Sequence, residues 1–123
     1  MVEEDPIKLH KEAEALYDNR KYEEAAESFL RAAQLYEKVQ NFFDASYSLF
    51  KAGECMFFLE QYERAAEHFM KAAELAFSKG YDRFGVSALE YARDCHQRLD
   101  NQDKVNELQS KIDEIKGKLS TSF

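Results

Sequence analysis

Residues 21–35 read KYEEAAESFLRAAQL and residues 61–75 read QYERAAEHFMKAAEL, one motif written twice, 40 residues apart. Tyr22, Ala25, Ala26, Phe29, Ala32, Ala33 and Leu35 return as Tyr62, Ala65, Ala66, Phe69, Ala72, Ala73 and Leu75. Their i, i+3, i+4, i+7 spacing is that of one helix face. A fixed period of about 20–50 residues marks a stacked-repeat architecture, where each unit buries its apolar face against its neighbours. The phase extends outward: Leu9, Leu49 and Leu89 are 40 residues apart, as are Ala15, Cys55 and Cys95.

Turn and cap signals divide the chain into six antiparallel helices. Asp5-Pro6 opens the first with an N-cap acid and a proline whose missing N–H costs nothing there. Asp18-Asn19-Arg20 ends it, and the second helix runs over about 21–39. Asn41 caps a third over about 42–59, followed by a fourth over about 61–79 that Gly80 terminates in a left-handed conformation. A fifth covers about 82–99. The sixth carries Val105, Leu108, Ile112, Ile115 and Leu119, a single apolar stripe suited to a helix that covers the end of a stack. The expected fold class is all-α: a right-handed α-solenoid of three helix-turn-helix repeats at about 6–39, 41–79 and 81–119. These form one domain over 1–119, with 120–123 as a frayed C-terminal tail.

Composition agrees. The 123 residues include one proline, four glycines and 33% charged residues, a helix-favouring mixture. The net charge of −7 argues against nucleic acid, whose phosphates need a basic face. No apolar run approaches the ~20 residues that span a bilayer, and the opening residues lack a secretory pattern. The expectation is a soluble, cytoplasmic protein without stable membrane insertion.

Cys55 and Cys95 hold equivalent places in successive units, about a helix diameter apart. Both read as small buried hydrophobes kept reduced. His10, His68 and His96 fall at unrelated repeat positions, so neither a metal site nor a catalytic constellation is indicated. No phosphate-binding glycine loop occurs. Neither an enzyme nor a cofactor is expected.

The chain resembles the tetratricopeptide-repeat (TPR) proteins. Leu49, Gly53, Tyr62, Ala65, Phe69 and Ala72 follow that family's pattern, as do Leu9, Ala13, Tyr22, Ala25, Phe29 and Ala32. The third unit keeps Leu89, Ala92, Cys95 and Leu99 before diverging, with Arg93 in the small-residue place. The period exceeds the family's usual length of about 34, and Glu37 and Phe77 stand where a repeat-ending proline is customary. Longer repeats of this kind are similar to those of soluble NSF attachment proteins and kinesin light chains. The stretch AAQLYEKVQNFFDASYSLFKAGE is closest in character to the former.

The resemblance implies a protein-protein interaction module, a scaffold or adaptor whose first helix in each hairpin lines a concave groove. The groove columns are then Glu14, Glu54 and Asp94; His10, Phe50 and Glu90; Tyr17, Phe57 and Gln97; and Asp18, Phe58 and Arg98. The first column is wholly acidic, which favours a basic or amphipathic helical peptide. Phe50 and Phe57 are the expected exposed anchors among the aromatics of the middle helix. The residues assigned to partner binding are His10, Glu14, Tyr17, Phe50, Glu54, Phe57, Glu90, Asp94 and Arg98. Two alternatives accompany this reading. One is a membrane-trafficking adaptor of the attachment-protein kind, acting on helical bundles with lipid contact at Phe42-Phe43. The other is self-association of the open ends into a homodimer.

Overall fold

A computed structural model describes residues 4–121. The helices are α1 (Pro6–Asp18), α2 (Tyr22–Lys38), α3 (Phe42–Phe58), α4 (Tyr62–Ser78), α5 (Asp82–Arg98) and α6 (Gln102–Thr121). No strand occurs among the described residues. Helices pack in chain order, each on the next. Side chains also tie α1 to α3, where the His10 and Tyr47 rings lie 5.8 Å apart, and α3 to α5, where Phe50 meets Tyr91 at 4.9 Å. The odd-numbered helices therefore form one layer. This is the expected all-α helical-repeat stack.

The ends of the helices follow their sequences. The Asp5 carboxylate accepts from the Ile7 N–H at 3.0 Å, and Asn41 accepts from the Asp44 N–H at 3.4 Å. The joints are more regular than the residues at them. Arg20, Gln40, Glu60 and Asp100 all have φ between 55° and 63°, and Gly80 has φ 81°. At each, two backbone bonds close the preceding helix. The Arg20 N–H donates to Tyr17 O and the Lys21 N–H to Leu16 O, and the same pair recurs at every later joint. This is the Schellman arrangement, which satisfies carbonyls the helix end leaves open. One joint of five uses the residue that adopts it without strain.

The core depends on close approach. A Cβ added to Gly53 would lie 2.8 Å from the Phe69 ring, and Phe69 is completely buried. Ala13 and Phe29 occupy the corresponding places in the first unit, also with no exposure. In the third unit the pair becomes Arg93 and Gln109, and the Arg93 guanidinium donates to Gln109 Oε1 at 2.7 Å. The helix α6 keeps the inward positions of α2 and α4 but buries a narrower stripe, since Asn106 and Asp113 are exposed where Ala66 and Ala73 are buried. Val105, Leu108 and Ile112 are buried, with Ile115 and Leu119 half-buried.

One expectation needs correction. Ser120 and Thr121 continue α6, with the Thr121 hydroxyl donating to Lys118 O at 3.0 Å; Ser122 and Phe123 lie outside the described residues. Ala15 is exposed, whereas its repeat equivalents Cys55 and Cys95 are buried. Arg31 pairs with Glu4 at 2.7 Å and hydrogen-bonds Gln34 at 3.3 Å, tying the start of the chain to α2.

Two stability outcomes follow from this packing. Gly53→Ala should lower unfolding free energy in urea by about 1–3 kcal/mol, since a fully enclosed phenyl ring has nowhere to move. Glu60→Gly should raise it by about 0.5–1 kcal/mol. Left-handed strain of about 1–2 kcal/mol disappears, partly offset by glycine's greater chain entropy, about 0.5–1 kcal/mol.

Candidate partner-binding face

Three helix stripes form the outer face of the odd layer. On α3, Phe43, Tyr47, Phe50, Glu54 and Phe57 fall at i, i+4, i+7, i+11 and i+14, a single side of the helix. The α1 stripe carries His10, Glu14 and Tyr17. That of α5 carries Phe84, Tyr91, Asp94 and Arg98. Aromatic contacts join them: Phe43 to Phe84 at 5.6 Å, Phe50 to Phe84 at 5.5 Å, and Tyr17 to Phe58 at 6.0 Å. At the far end the Arg98 guanidinium lies 5.4 Å from the Phe57 ring centre and donates to the Tyr62 hydroxyl at 3.2 Å.

Exposure singles out other rings than the expected ones. Phe50 and Phe57 are half-buried, Phe50 lying against Phe69, Phe84 and Tyr91. The rings open to water are Phe43 at 42%, Tyr47 at 36%, Tyr91 at 41%, Tyr81 at 38% and Phe58 at 50%. Phe43, Tyr47 and Tyr91 border the half-buried Phe50 and Phe84, so these five make a continuous aromatic surface. Sequence reasoning picked Phe50 and Phe57 as the exposed anchors and passed over Phe43 and Tyr47. The available signal was that Phe43, Tyr47 and Phe50 share the stripe of Glu54. Phe42, proposed for lipid contact, is half-buried with Lys79 Nζ 4.0 Å above its ring.

The acidic column does not stand as a bare negative strip. His10 Nε2 lies 2.6 Å from Glu14 Oε1, Lys51 Nζ 2.9 Å from Glu54, and Arg93 3.0 Å from Asp94. Glu90 receives Lys116 from α6 at 3.0 Å. Each carboxylate thus has a basic partner nearby, three of them on the same helix. Lys51 is also committed to Tyr17, its ammonium 3.7 Å from the ring centre. Burial works against the Lys51 charge, but the hydrogen bond and field of Glu54 outweigh it and hold the ammonium pKa above its ordinary value. Burial, reinforced by Glu54, raises the Tyr17 phenol. All nine predicted residues lie on the odd-numbered helices, with Phe50 inside the aromatic surface.

The remaining candidate chemistry is absorbed into packing. Cys55 and Cys95 are free and buried, and burial pushes both thiols up to about 12. Among the described residues, no group of three or more His, Cys, Asp or Glu could hold a metal ion. His68 is almost fully buried, and its Nδ1 has no hydrogen-bond partner. Burial first, then Lys71 and Arg64, depress its pKa. No helix of the described residues is long and apolar enough to cross a membrane.

The family model for the soluble NSF attachment protein, SNAP, matches residues 8–121. The chain belongs to the SNAP family. Its architecture is similar to the crystal structure of the TPR domain of Arabidopsis FLU, with a TM-score of 0.77 at 17% identity. That match covers 94% of this chain and 95% of the other, and it establishes a helical-repeat fold. No curated protein sequence matches. For this SNAP-family chain, the TPR-like and attachment-protein resemblances read from the repeat are both upheld.

His68 gives the SNAP-family protein a pH dependence with a definite sign. Its folded-state pKa lies below the ordinary 6.5. Below that value the unfolded chain binds a proton that the folded chain resists, so stability falls as pH drops. The urea midpoint should be lower at about pH 5.5 than at about pH 7.5, and His68→Gln should shrink that difference.

Proposed function

We propose that this SNAP-family protein is a non-catalytic, cytoplasmic interaction adaptor that docks the apolar side of an amphipathic helix on its odd-helix face. The carrying observation is the continuous aromatic surface of Phe43, Tyr47, Phe50, Phe84 and Tyr91, three of whose rings are more than one third exposed. Exposed aromatics are costly to leave in water, and burying one contributes roughly 1.5–3 kcal/mol for a fully covered ring. His10, Glu14, Tyr17, Glu54, Phe57, Glu90, Asp94 and Arg98 border that surface and would meet the polar edges of the incoming helix. Because their carboxylates are already paired, the face favours an amphipathic segment over a purely basic one.

An acidic peptide tail is a poor fit. The one lysine placed to receive it, Lys51, is held by Glu54 and Tyr17. A second reading is favoured by the family match: an attachment protein whose partner is a bundle of helices, with the aromatic face gripping one of them.

The test is titration calorimetry with an amidated helical peptide built from Leu, Gln and Ala, neutral overall. Micromolar binding is expected, weakened at least about tenfold (about 1.4 kcal/mol) by Phe43→Ala/Tyr91→Ala. Undiminished affinity in that variant overturns the reading. A peptide ending in a free Asp should give no binding heat.

A further inference from the structure

A separate cleft of about 810 Å3 runs along α4, where that helix faces the α5–α6 joint. None of its lining residues belongs to the odd-helix face. Glu63, Glu67 and Glu74 follow one side of α4 at i, i+4 and i+11, and Asp100 projects from the joint opposite. From Glu63 to Glu74 the cleft extends roughly 16 Å, or three helical turns. Met70 and the exposed Leu99 give it an apolar floor and wall.

Its electrostatics are the reverse of the odd-helix face. There, Glu14, Glu54, Glu90 and Asp94 each have a basic partner within 3.0 Å. Here, Glu63, Glu67, Glu74 and Asp100 enter no ion pair among the described residues. Lys71 is the one Lys or Arg lining the cleft, and it does not pair with Glu67 one turn before it. Four carboxylates against one ammonium leave an uncompensated negative field over an apolar groove. A partner that matches both features carries Lys or Arg around an apolar stripe.

We propose that this cleft docks a basic amphipathic helix of a partner protein, lying along α4 with its apolar side on Met70 and Leu99. Its cations would then sit between the α4 carboxylates and Asp100, where partial desolvation strengthens each attraction. The adaptor accordingly has two docking surfaces that differ in charge preference: a neutral amphipathic helix on the odd layer and a cationic one beside α4. The second proposal does not depend on the first.

The probe is an amidated Leu/Lys amphipathic peptide of about 12 residues, three turns long, with a Leu/Glu peptide of the same pattern as control. Calorimetry should give tighter binding for the Lys peptide than for the Leu/Glu peptide, with that advantage weakening as salt rises. Glu67→Lys/Glu74→Lys should reduce affinity more than about tenfold, Glu67→Gln/Glu74→Gln by less, while Phe43→Ala/Tyr91→Ala leaves it unchanged. Circular dichroism of each variant verifies that the helices persist. No binding, equal binding of the Leu/Glu peptide, or loss confined to the Phe43/Tyr91 variant overturns the inference. So does a protein that scatters light as a dimer and becomes monomeric in the Glu67/Glu74 variant, because the cleft then belongs to a second copy.

Discussion

The stack rests on a contact between a ring and a residue with almost no side chain. Phe69 fills the space between α3 and α4 so completely that Gly53 has no room for a methyl group. With the ring enclosed on all sides, α3 lies close over α4, and its remaining side chains are pushed outward onto the odd-helix face. Phe50 is the hinge between the two environments, touching Phe69 below and Tyr91 and Phe84 beside it. The candidate binding surface is therefore a direct outgrowth of the core, and its geometry is fixed by the same ring.

Where that contact is given up, the character of the stack changes. Arg93 and Gln109 replace the small residue and the aromatic, substituting a hydrogen bond for dispersion and area burial. In α6 the buried stripe narrows to Val105, Leu108 and Ile112, and its outer side is exposed. Charge is arranged with the same economy. Carboxylates on the odd layer are matched by cations one turn away or on α6, and unmatched ones collect along α4. The two faces consequently differ in charge even though the protein is acidic overall.

Much of the architecture was legible in the residues because the repeat is nearly literal where packing is tightest. Helix number, the 40-residue period, the Asp5 and Asn41 caps and the left-handed Gly80 all follow from local chemistry. The joints at Arg20, Gln40, Glu60 and Asp100 were less visible, since none carries the residue that left-handed backbone prefers. Their conformation is imposed by the packed helices on either side, a tertiary demand that outweighs local propensity. The site was legible in position but not in character. Column spacing placed Glu14, Glu54 and Asp94, yet it said nothing of His10, Lys51 and Arg93 folding back onto them. Nor does spacing separate an aromatic that reaches the core from one a turn away that does not, as with Phe50 and Tyr47.

The five joints carry a consequence for how such a chain changes length. Each closes its helix with the same two backbone bonds, irrespective of the side chain present. The structural module is thus one helix plus three linking residues, half the period visible in the sequence. In the first two units odd modules supply the small residue and even modules the ring, so growth or loss there by one module would bring like against like. Growth or loss by two preserves both the joint and the alternation. Hairpins are therefore interchangeable parts, and gaining or losing one requires no new solution at any junction.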